Sequence, residues 1–214
     1  MQSTLTKTHL TVSTGSVNHK MRFMQMINTS TSVNPFCRKM HKIAGTVCAS
    51  CYAGRLEALR KTMQKAYGRN GKLLSSNLMR LSEIEKLPIY SKYVRFNAFG
   101  ELINLIHLHN LVNIAMIHNQ HTFALWTKRP ELVKQLLSFG IPIPSNMILV
   151  FSTFNKNVLN PVLPSGFDKV FTVYNRKFAR ENNVKINCAG KSCIDCLNCY
   201  KKDNNITIIN EHLR

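Results

Sequence analysis

The chain has 214 residues, which suits one domain that buries a substantial hydrophobic core. Its apolar content of 44% argues against wholesale disorder, and no apolar run reaches the roughly 18 residues that a membrane-spanning helix needs. Lysine and arginine number 29 against 10 aspartate and glutamate residues, and the resulting net charge of +19 predicts an anionic partner.

The amino-terminal half of the sequence predicts one strand followed by two helices. Residues 1–19 are polar and predict a loop or a loose first strand, whereas the apolar residues 21–28 predict a strand. Residues 29–51 hold three cysteines and predict an irregular segment. Apolar residues at helical spacing predict one helix from about residue 52 to 67, ended by two glycines, and another over residues 74–85.

The second half of the sequence alternates strands with helices. A short apolar piece, residues 206–209, follows near the end of the chain. The predicted strands cover residues 93–98, 122–126, 147–151 and 169–174, and the predicted helices cover residues 102–117 and 130–137.

This alternation predicts an α/β fold with a mostly parallel sheet. Because the predicted strands are too few for a closed eight-stranded barrel, we expect a partial, open TIM-like barrel or, alternatively, a doubly wound sheet. Residues 1–185 are expected to form this domain, with a cysteine-rich loop near its start. Residues 186–214 are expected to be a cysteine-rich, metal-binding tail packed on the same domain.

Polar residues follow several of the predicted strands. The carboxyl ends of parallel strands meet at one edge of a sheet, where such folds bind ligands. We therefore predict a cofactor-binding site that includes Gly100, Glu101 and Lys128, with no catalytic residue assigned. The alternative is that these segments are ordinary polar loops. The polar segments are residues 97–101, 127–129, 152–153 and 175–177.

The last cysteines of the chain have the spacing of metal ligands. Cys188, Cys193, Cys196 and Cys199 follow the pattern C-x4-C-x2-C-x2-C. Short loops of this kind let several sulfur atoms converge on one metal. The spacing favours an iron–sulfur cluster, with zinc as the alternative, because zinc ribbons usually place their two cysteine pairs further apart.

A second set of possible metal ligands lies near the start of the chain. Cys37, Cys48 and Cys51 would leave one coordination position open, as in sites that bind a substrate. One interpretation is therefore an open cluster here and a closed cluster at the other end. The other is a single cluster with ligands from both segments.

Five motifs along residues 14–200 carry a resemblance to a known family. They are GSVNHKM at residues 15–21, CASCYAGR at 48–55, RFNAFGEL at 95–102, ALWTKRPEL at 124–132 and CAGKSCIDCLNCY at 188–200. In this order they resemble the phage gene product 88 family. Glu101 stands where we expect that family to have aspartate.

The CYA, glycine-acidic and TKRP elements also resemble a phage-borne group of radical-SAM-like proteins. In that group, three cysteines after the first strand of a partial TIM barrel hold a [4Fe–4S] cluster whose free iron binds S-adenosylmethionine. The resemblance implies this role for Cys37, Cys48 and Cys51. Glu101 and Lys128 would then bracket the methionine end of the cofactor. The ten residues between Cys37 and Cys48 depart from the usual C-x3-C-x2-C spacing.

Together these features predict a phage-type iron–sulfur protein with one or two clusters. One version of this hypothesis is a radical-SAM-like enzyme of unknown substrate. The alternative is a non-catalytic, basic nucleic-acid-binding protein stabilised by zinc or by a cluster.

The charge distribution favours a nucleic-acid partner. No acidic residue precedes Glu57, whereas seven lysine and arginine residues do. The alternative is a generally basic composition without such a partner. Because the first residues lack the apolar core of a secretory signal, we expect a cytoplasmic protein, in the host cell if it is phage-encoded.

Overall fold

A computed structural model describes residues 9–202 and 204–213. In these residues one sheet holds seven strands in sequence order. The first two strands are antiparallel, and every other neighbouring pair is parallel. The strands are β1 Val12–Thr14, β2 Gln25–Ile27, β3 Tyr93–Phe96, β4 Thr122–Thr127, β5 Met147–Ser152, β6 Lys169–Tyr174 and β7 Ile208–His212.

Eight short to medium helices connect these strands in the described part of the chain. Single 3-10 turns cover Val47–Ser50 and Asn198–Tyr200. The helices are α1 Pro35–His41, α2 Tyr52–Leu59, α3 Lys61–Ser76, α4 Leu81–Ile84, α5 Leu105–Ile117, α6 Pro130–Ser138, α7 Arg176–Glu181 and α8 Cys193–Cys196.

One face of the sheet packs against the helices. Successive side chains of a strand point to opposite faces, so alternate residues of β3, β4 and β5 enter this core. Phe96 and Phe123 stack with ring centroids 5.0 Å apart. They contact a layer contributed mainly by α3, α5 and α6, including the fully buried Leu74, Leu111 and Leu136.

The opposite face of the sheet packs against methionines near β2 and against the cysteine-rich tail. Ala124, Trp126 and Ile148 from this face lie in one cluster with Met24 and Tyr200. Because both faces are covered, the central strands are apolar at nearly every position, as is typical of parallel sheets.

The predicted α/β class and the mostly parallel sheet are confirmed. The sheet is open, with β1 at one edge and β7 at the other. The predicted number of strands was too low, because β1 has only three residues and β7 has few apolar ones. The apolar piece 206–209 leads into β7, which pairs along its whole length with β6.

The predicted first helix, residues 52–67, was wrong in its bounds. It is two helices, α2 and α3, separated by the non-helical backbone of Arg60. Gly68 and Gly71 were expected to end it, but both lie inside α3. A Cβ atom at Gly71 would come within 3.3 Å of the Ile103 side chain, so this glycine permits close packing of α3.

The second predicted helix, residues 74–85, was also wrong. The chain leaves α3 at Ser76 and forms only the single turn of α4. The cause is Asn110 in α5, whose amide donates to the carbonyls of Leu74 and Asn77, both at 2.8 Å. Its oxygen also accepts a hydrogen bond from the backbone of Met79 at 2.8 Å, which fixes the bend.

The segment predicted to be irregular, residues 29–51, contains α1. The side chain of Asn34 accepts hydrogen bonds from the backbone N–H groups of Phe36 and Cys37, and Pro35 occupies the first turn. Both are favoured residues at a helix start.

Helix α5 is the most apolar helix that the core encloses, but it has only 13 residues. None of the helices in the described ranges combines the length and the apolar character that crossing a membrane requires. The first turn of α5 buries His107 completely, and its Nδ1 accepts a hydrogen bond from the backbone of Ile103 at 3.2 Å. Burial lowers the pKa of this imidazole to about 3.

We expect the free energy of unfolding to fall as the pH decreases from about 6.5 towards 3, because the unfolded chain takes up a proton at His107 that the folded chain excludes. This residue would contribute up to about 1.4 kcal/mol per pH unit. Denaturant titrations of the wild type and of His107→Gln across this range measure the difference. His109→Gln, a change on the same helix, serves as the control and should keep the wild-type pH dependence.

Candidate functional site

The segment after β2 folds over the carboxyl edge of the parallel strands. The backbone N–H of Val47 donates to the carbonyl of Phe154, beyond β5, at 2.8 Å. The hydroxyl of Tyr52 donates to the carbonyl of Ala98, beyond β3, at 3.2 Å. The pair of cysteines at the C-x2-C motif lies between these two contacts and is held above the sheet edge.

The structure brings the three amino-terminal cysteines together with Glu101 and Lys128. Burial raises the pKa of the Cys37 thiol, and the charges of Glu101, Cys51 and Cys48 raise it further. Burial also raises the pKa of Cys48, whereas the neighbouring ammonium of Lys128 opposes that shift. These mutual effects define a single electrostatic neighbourhood, which we call the edge site: Cys37, Cys48, Cys51, Glu101 and Lys128.

Glu101 is the most highly connected residue of the edge site. Its Oε1 accepts hydrogen bonds from the hydroxyl of Thr127 at 2.6 Å and from the backbone of Leu102 at 2.8 Å. Its Oε2 accepts one from the backbone of Lys128 at 2.8 Å. Burial raises the pKa of this carboxyl group, and the three donors act in the opposite direction. The carboxylate therefore ties the end of β3 to the end of β4.

The main chain of Glu101 also fixes the position of α1. Its carbonyl accepts a hydrogen bond from the side chain of Asn34 at 2.7 Å, and Asn34 is the residue that caps α1. Cys37 lies in the first turn of that helix. The position of Cys37 relative to Lys128 therefore depends on Glu101, which binds both the cap of α1 and the backbone of Lys128.

Lys128 reaches across the edge to the end of β5. Its ammonium donates to the hydroxyl of Ser152 at 2.5 Å and to the carbonyl of Thr153 at 3.0 Å. Burial lowers the pKa of Lys128, and the nearby charges of Cys48 and Glu101 counteract this. The edge site therefore holds a partly buried cation beside its thiols.

Gly100, predicted to bind a cofactor, has a clear structural requirement. Its φ is +79°, and a Cβ atom there would lie 2.4 Å from the carbonyl oxygen of Thr29. Only glycine accommodates both this conformation and this close approach. The turn after β3 can therefore pass directly against the segment after β2.

Two further buried polar residues at the edge were not assigned a role from the sequence. Asn97, in the left-handed region with a φ of +57°, is 5% exposed, and its side-chain amide has no hydrogen-bond partner among the described residues. Glu57 is fully buried and accepts hydrogen bonds from Ser30 and from the backbone and side chain of Thr31. The sequence feature that could have pointed to Glu57 is that no acidic residue precedes it in the chain.

The four carboxy-terminal cysteines lie on the face of the sheet opposite α3, α5 and α6. The backbone of Cys193 donates to the carbonyl of Lys20 at 2.7 Å, and the Lys20 ammonium donates to the sulfur of Cys188 at 3.1 Å. Burial raises the pKa of Cys199, and the other three thiols raise it further. We call this group the face site: Cys188, Cys193, Cys196 and Cys199.

The face site also has a cation and two unpaired donors beside it. The charge of Arg95 acts against the rise in pKa of Cys193 and Cys199. The Arg95 guanidinium lies 3.8 Å from the ring centre of Trp126. Its Nε and the hydroxyl of Tyr200 are buried without a hydrogen-bond partner in the described ranges. Buried donors usually have an acceptor, so these two are exceptions among the buried polar groups.

All seven cysteines are free thiols of intermediate exposure. As the side chains stand, no group of three or more His, Cys, Asp or Glu residues within 9–202 and 204–213 is arranged to hold a metal ion. The two cysteine sets occupy different parts of the fold, one at the edge of the sheet and one on its face.

The family model described as Gene product 88 matches residues 2–209. The match covers nearly the whole chain, so the chain belongs to the gene product 88 family, as the order of its motifs predicted. Neither the curated proteins nor the solved structures contain a match to it. The resemblance to radical-SAM-like proteins stays a prediction.

We expect Glu101→Gln to lower the free energy of unfolding by about 2 kcal/mol, because an amide NH2 group would then face backbone donors that now bind a carboxylate. Urea denaturation measures the change. Glu131→Gln removes an exposed carboxylate that pairs with Arg129, and it should change stability by less than about 0.5 kcal/mol. Equal losses in the two variants would contradict the role given to Glu101.

Proposed function

We propose that this protein is an iron–sulfur protein with two separate centres. The edge site supplies three thiolates to one, and the face site supplies four to the other. The observation that carries the proposal is that each set of thiols has a basic side chain near it, Lys128 at the edge site and Lys20 and Arg95 at the face site, although thiols that stay neutral need no cation. Seven free cysteines also suit a reducing compartment such as the cytoplasm.

The surroundings of the face site support a closed, anionic centre. A [4Fe–4S] cluster or a zinc ion bound by four thiolates carries net negative charge, which is costly in a partly buried position unless cations lie nearby. Arg95 provides positive charge there, and Lys20 does so as well, although Lys20 also pairs with Glu211 at 2.7 Å. The unpaired donors on Arg95 and Tyr200 would find acceptors in thiolate or sulfide sulfur.

The edge site supports a centre with one open coordination position. An iron with such a position would bind the amino and carboxylate groups of S-adenosylmethionine and supply it with an electron. Lys128 would then neutralise a ligand carboxylate, and the unpaired amide of Asn97 would donate and accept hydrogen bonds. Glu101 would add negative charge beside a ligand ammonium while its hydrogen bonds hold the Lys128 loop.

The open sheet fits this proposal as a partial barrel with its carboxyl edge as the binding edge. Metal binding would draw the thiols closer together than they stand now and would release their protons. The cysteine spacing at the face site favours an iron–sulfur cluster, and a zinc ion at that site is the alternative.

Anaerobic expression followed by iron and sulfide analysis tests the two centres. We expect about eight iron atoms per chain, because two [4Fe–4S] clusters would be present, and a brown protein that absorbs at about 400 nm. Cys51→Ser and Cys196→Ser should each remove about half of the iron, and Cys196→Ser should also lower the melting temperature. Ser50→Ala, next to Cys51 and exposed, is the matched control.

Three other outcomes are informative. A colourless protein with one zinc ion that only Cys196→Ser removes would favour the zinc alternative. Iron content without a spectral change on addition of S-adenosylmethionine would argue against the open position. A chain that takes up neither metal would contradict the proposal altogether.

Nucleic-acid binding is a second candidate function, and the exposed surface of α1 favours it. Arg38, Lys39 and Lys42 lie exposed along this helix and its end, within the stretch that has no acidic residue. None of these three pairs with a carboxylate in the described part of the chain. A surface of this kind binds phosphates by charge and without sequence preference.

We expect the affinity for a short single-stranded DNA to fall steeply with salt, because each phosphate contact releases counterions. Replacing Arg38, Lys39 and Lys42 together with glutamine should reduce the slope of log K against log salt by about two. The control removes three exposed lysines elsewhere: Lys86, Lys92 and Lys134. Fluorescence anisotropy at several salt concentrations measures the slopes, and equal slopes for both variants would exclude α1 as the binding surface.

A further inference from the structure

We propose that a cavity between α7 and the end of β7 binds the phosphate group of an anionic ligand. The cavity measures about 410 Å³. It lies at the carboxyl edge of the sheet, because α7 follows β6 and the lining includes the last residue of β7. Its lining residues are Arg176, Ala179, Arg180, Val184, Ile186 and His212.

The two arginines are placed to hold one anion between them. Arg176 and Arg180 are four residues apart on α7 and therefore share a face of the helix. In the described residues neither guanidinium has a carboxylate within salt-bridge distance, and Glu181 pairs instead with Lys177 at 3.8 Å. Guanidinium groups bind phosphate through paired N–H donors, so two uncommitted ones favour a phosphate over a single carboxylate.

His212 supplies a third group that needs a partner. Its Nδ1 is buried and has no hydrogen-bond partner in the described ranges. The preceding residue, Glu211, belongs to the other face of β7, where it binds Lys20 at 2.7 Å. A phosphate oxygen would satisfy the imidazole and remove the cost of an unpaired buried nitrogen.

The apolar part of the lining strengthens this arrangement. Ala179, Val184 and Ile186 form the rest of the cavity wall. These side chains carry no negative charge, so nothing in this part of the wall repels an anion held by the arginines. No cysteine of the edge site or the face site lines the cavity, so this proposal stands apart from metal binding.

The phosphate could belong to a small phosphate ester or to a nucleic-acid strand, since both offer the same oxygens. Titration of the full-length protein with inorganic phosphate, followed by NMR of its histidine side chains, tests the site. We expect a saturable shift of the His212 resonances, identified by their loss in His212→Asn. Arg180→Gln should weaken phosphate binding about tenfold, because it removes a charged hydrogen bond.

Lys177→Gln is the matched control, because it removes the same charge from a residue of the same helix that does not line the cavity, and it should leave phosphate affinity unchanged. A single-stranded oligonucleotide without terminal phosphates separates the two sources. If it shifts His212 and competes with phosphate, the site takes a nucleic-acid backbone. If only inorganic phosphate does so, the site takes a small ligand. An unshifted His212, or equal weakening in Arg180→Gln and Lys177→Gln, would overturn the proposal.

Discussion

The buried carboxylate of Glu101 is the interaction on which the carboxyl edge of this sheet depends. It binds the backbone of Lys128 at the end of β4, and its own main chain binds Asn34, which caps the helix of Cys37. A buried acid costs free energy unless every oxygen has donors, and three donors converge here. Removing a hydrogen-bond partner of Glu101 would therefore shift the helix of Cys37, the loop of Lys128 or the turn after β3, because all three are bound to Glu101.

The second sheet face is covered where residues near β2 meet the cysteine-rich tail. The longer helices cover one face, and among the described residues the other face packs against methionines near β2, Tyr200 and the cysteine-rich tail. This tail includes the short helix α8, which has a left-handed residue, Leu197, at its end. Such a small layer has little apolar area of its own, so a metal bound to four of its side chains would contribute directly to the stability of the sheet.

The strongly apolar strands and the alternation of strands with helices were predictable, since a strand covered on both faces has an unmistakable composition. The grouping of the amino-terminal cysteines near Lys128 was predictable for a related reason, because parallel strands bring their carboxyl ends to one edge. Other features depend on contacts between distant residues. Asn110 ends α3 from another helix, and β7 is a strand only because β6 lies beside it. Local sequence patterns carry no information about such partners.

The excess of positive charge is partly internal, and this changes what it implies about partners. Lys20 and Arg95 lie beside the face site, and Lys128 lies at the edge site. Lys169 is 1% exposed and binds the side chain of Asn204 and the carbonyl of Ile206. These cations act on groups within the chain. An external anion would therefore be bound by the exposed cations, and those on α1 and α7 both lie on segments that follow the carboxyl ends of parallel strands. In such folds that edge is where ligands bind, so a phosphate held by α1 or α7 would lie on the side that also carries the edge site.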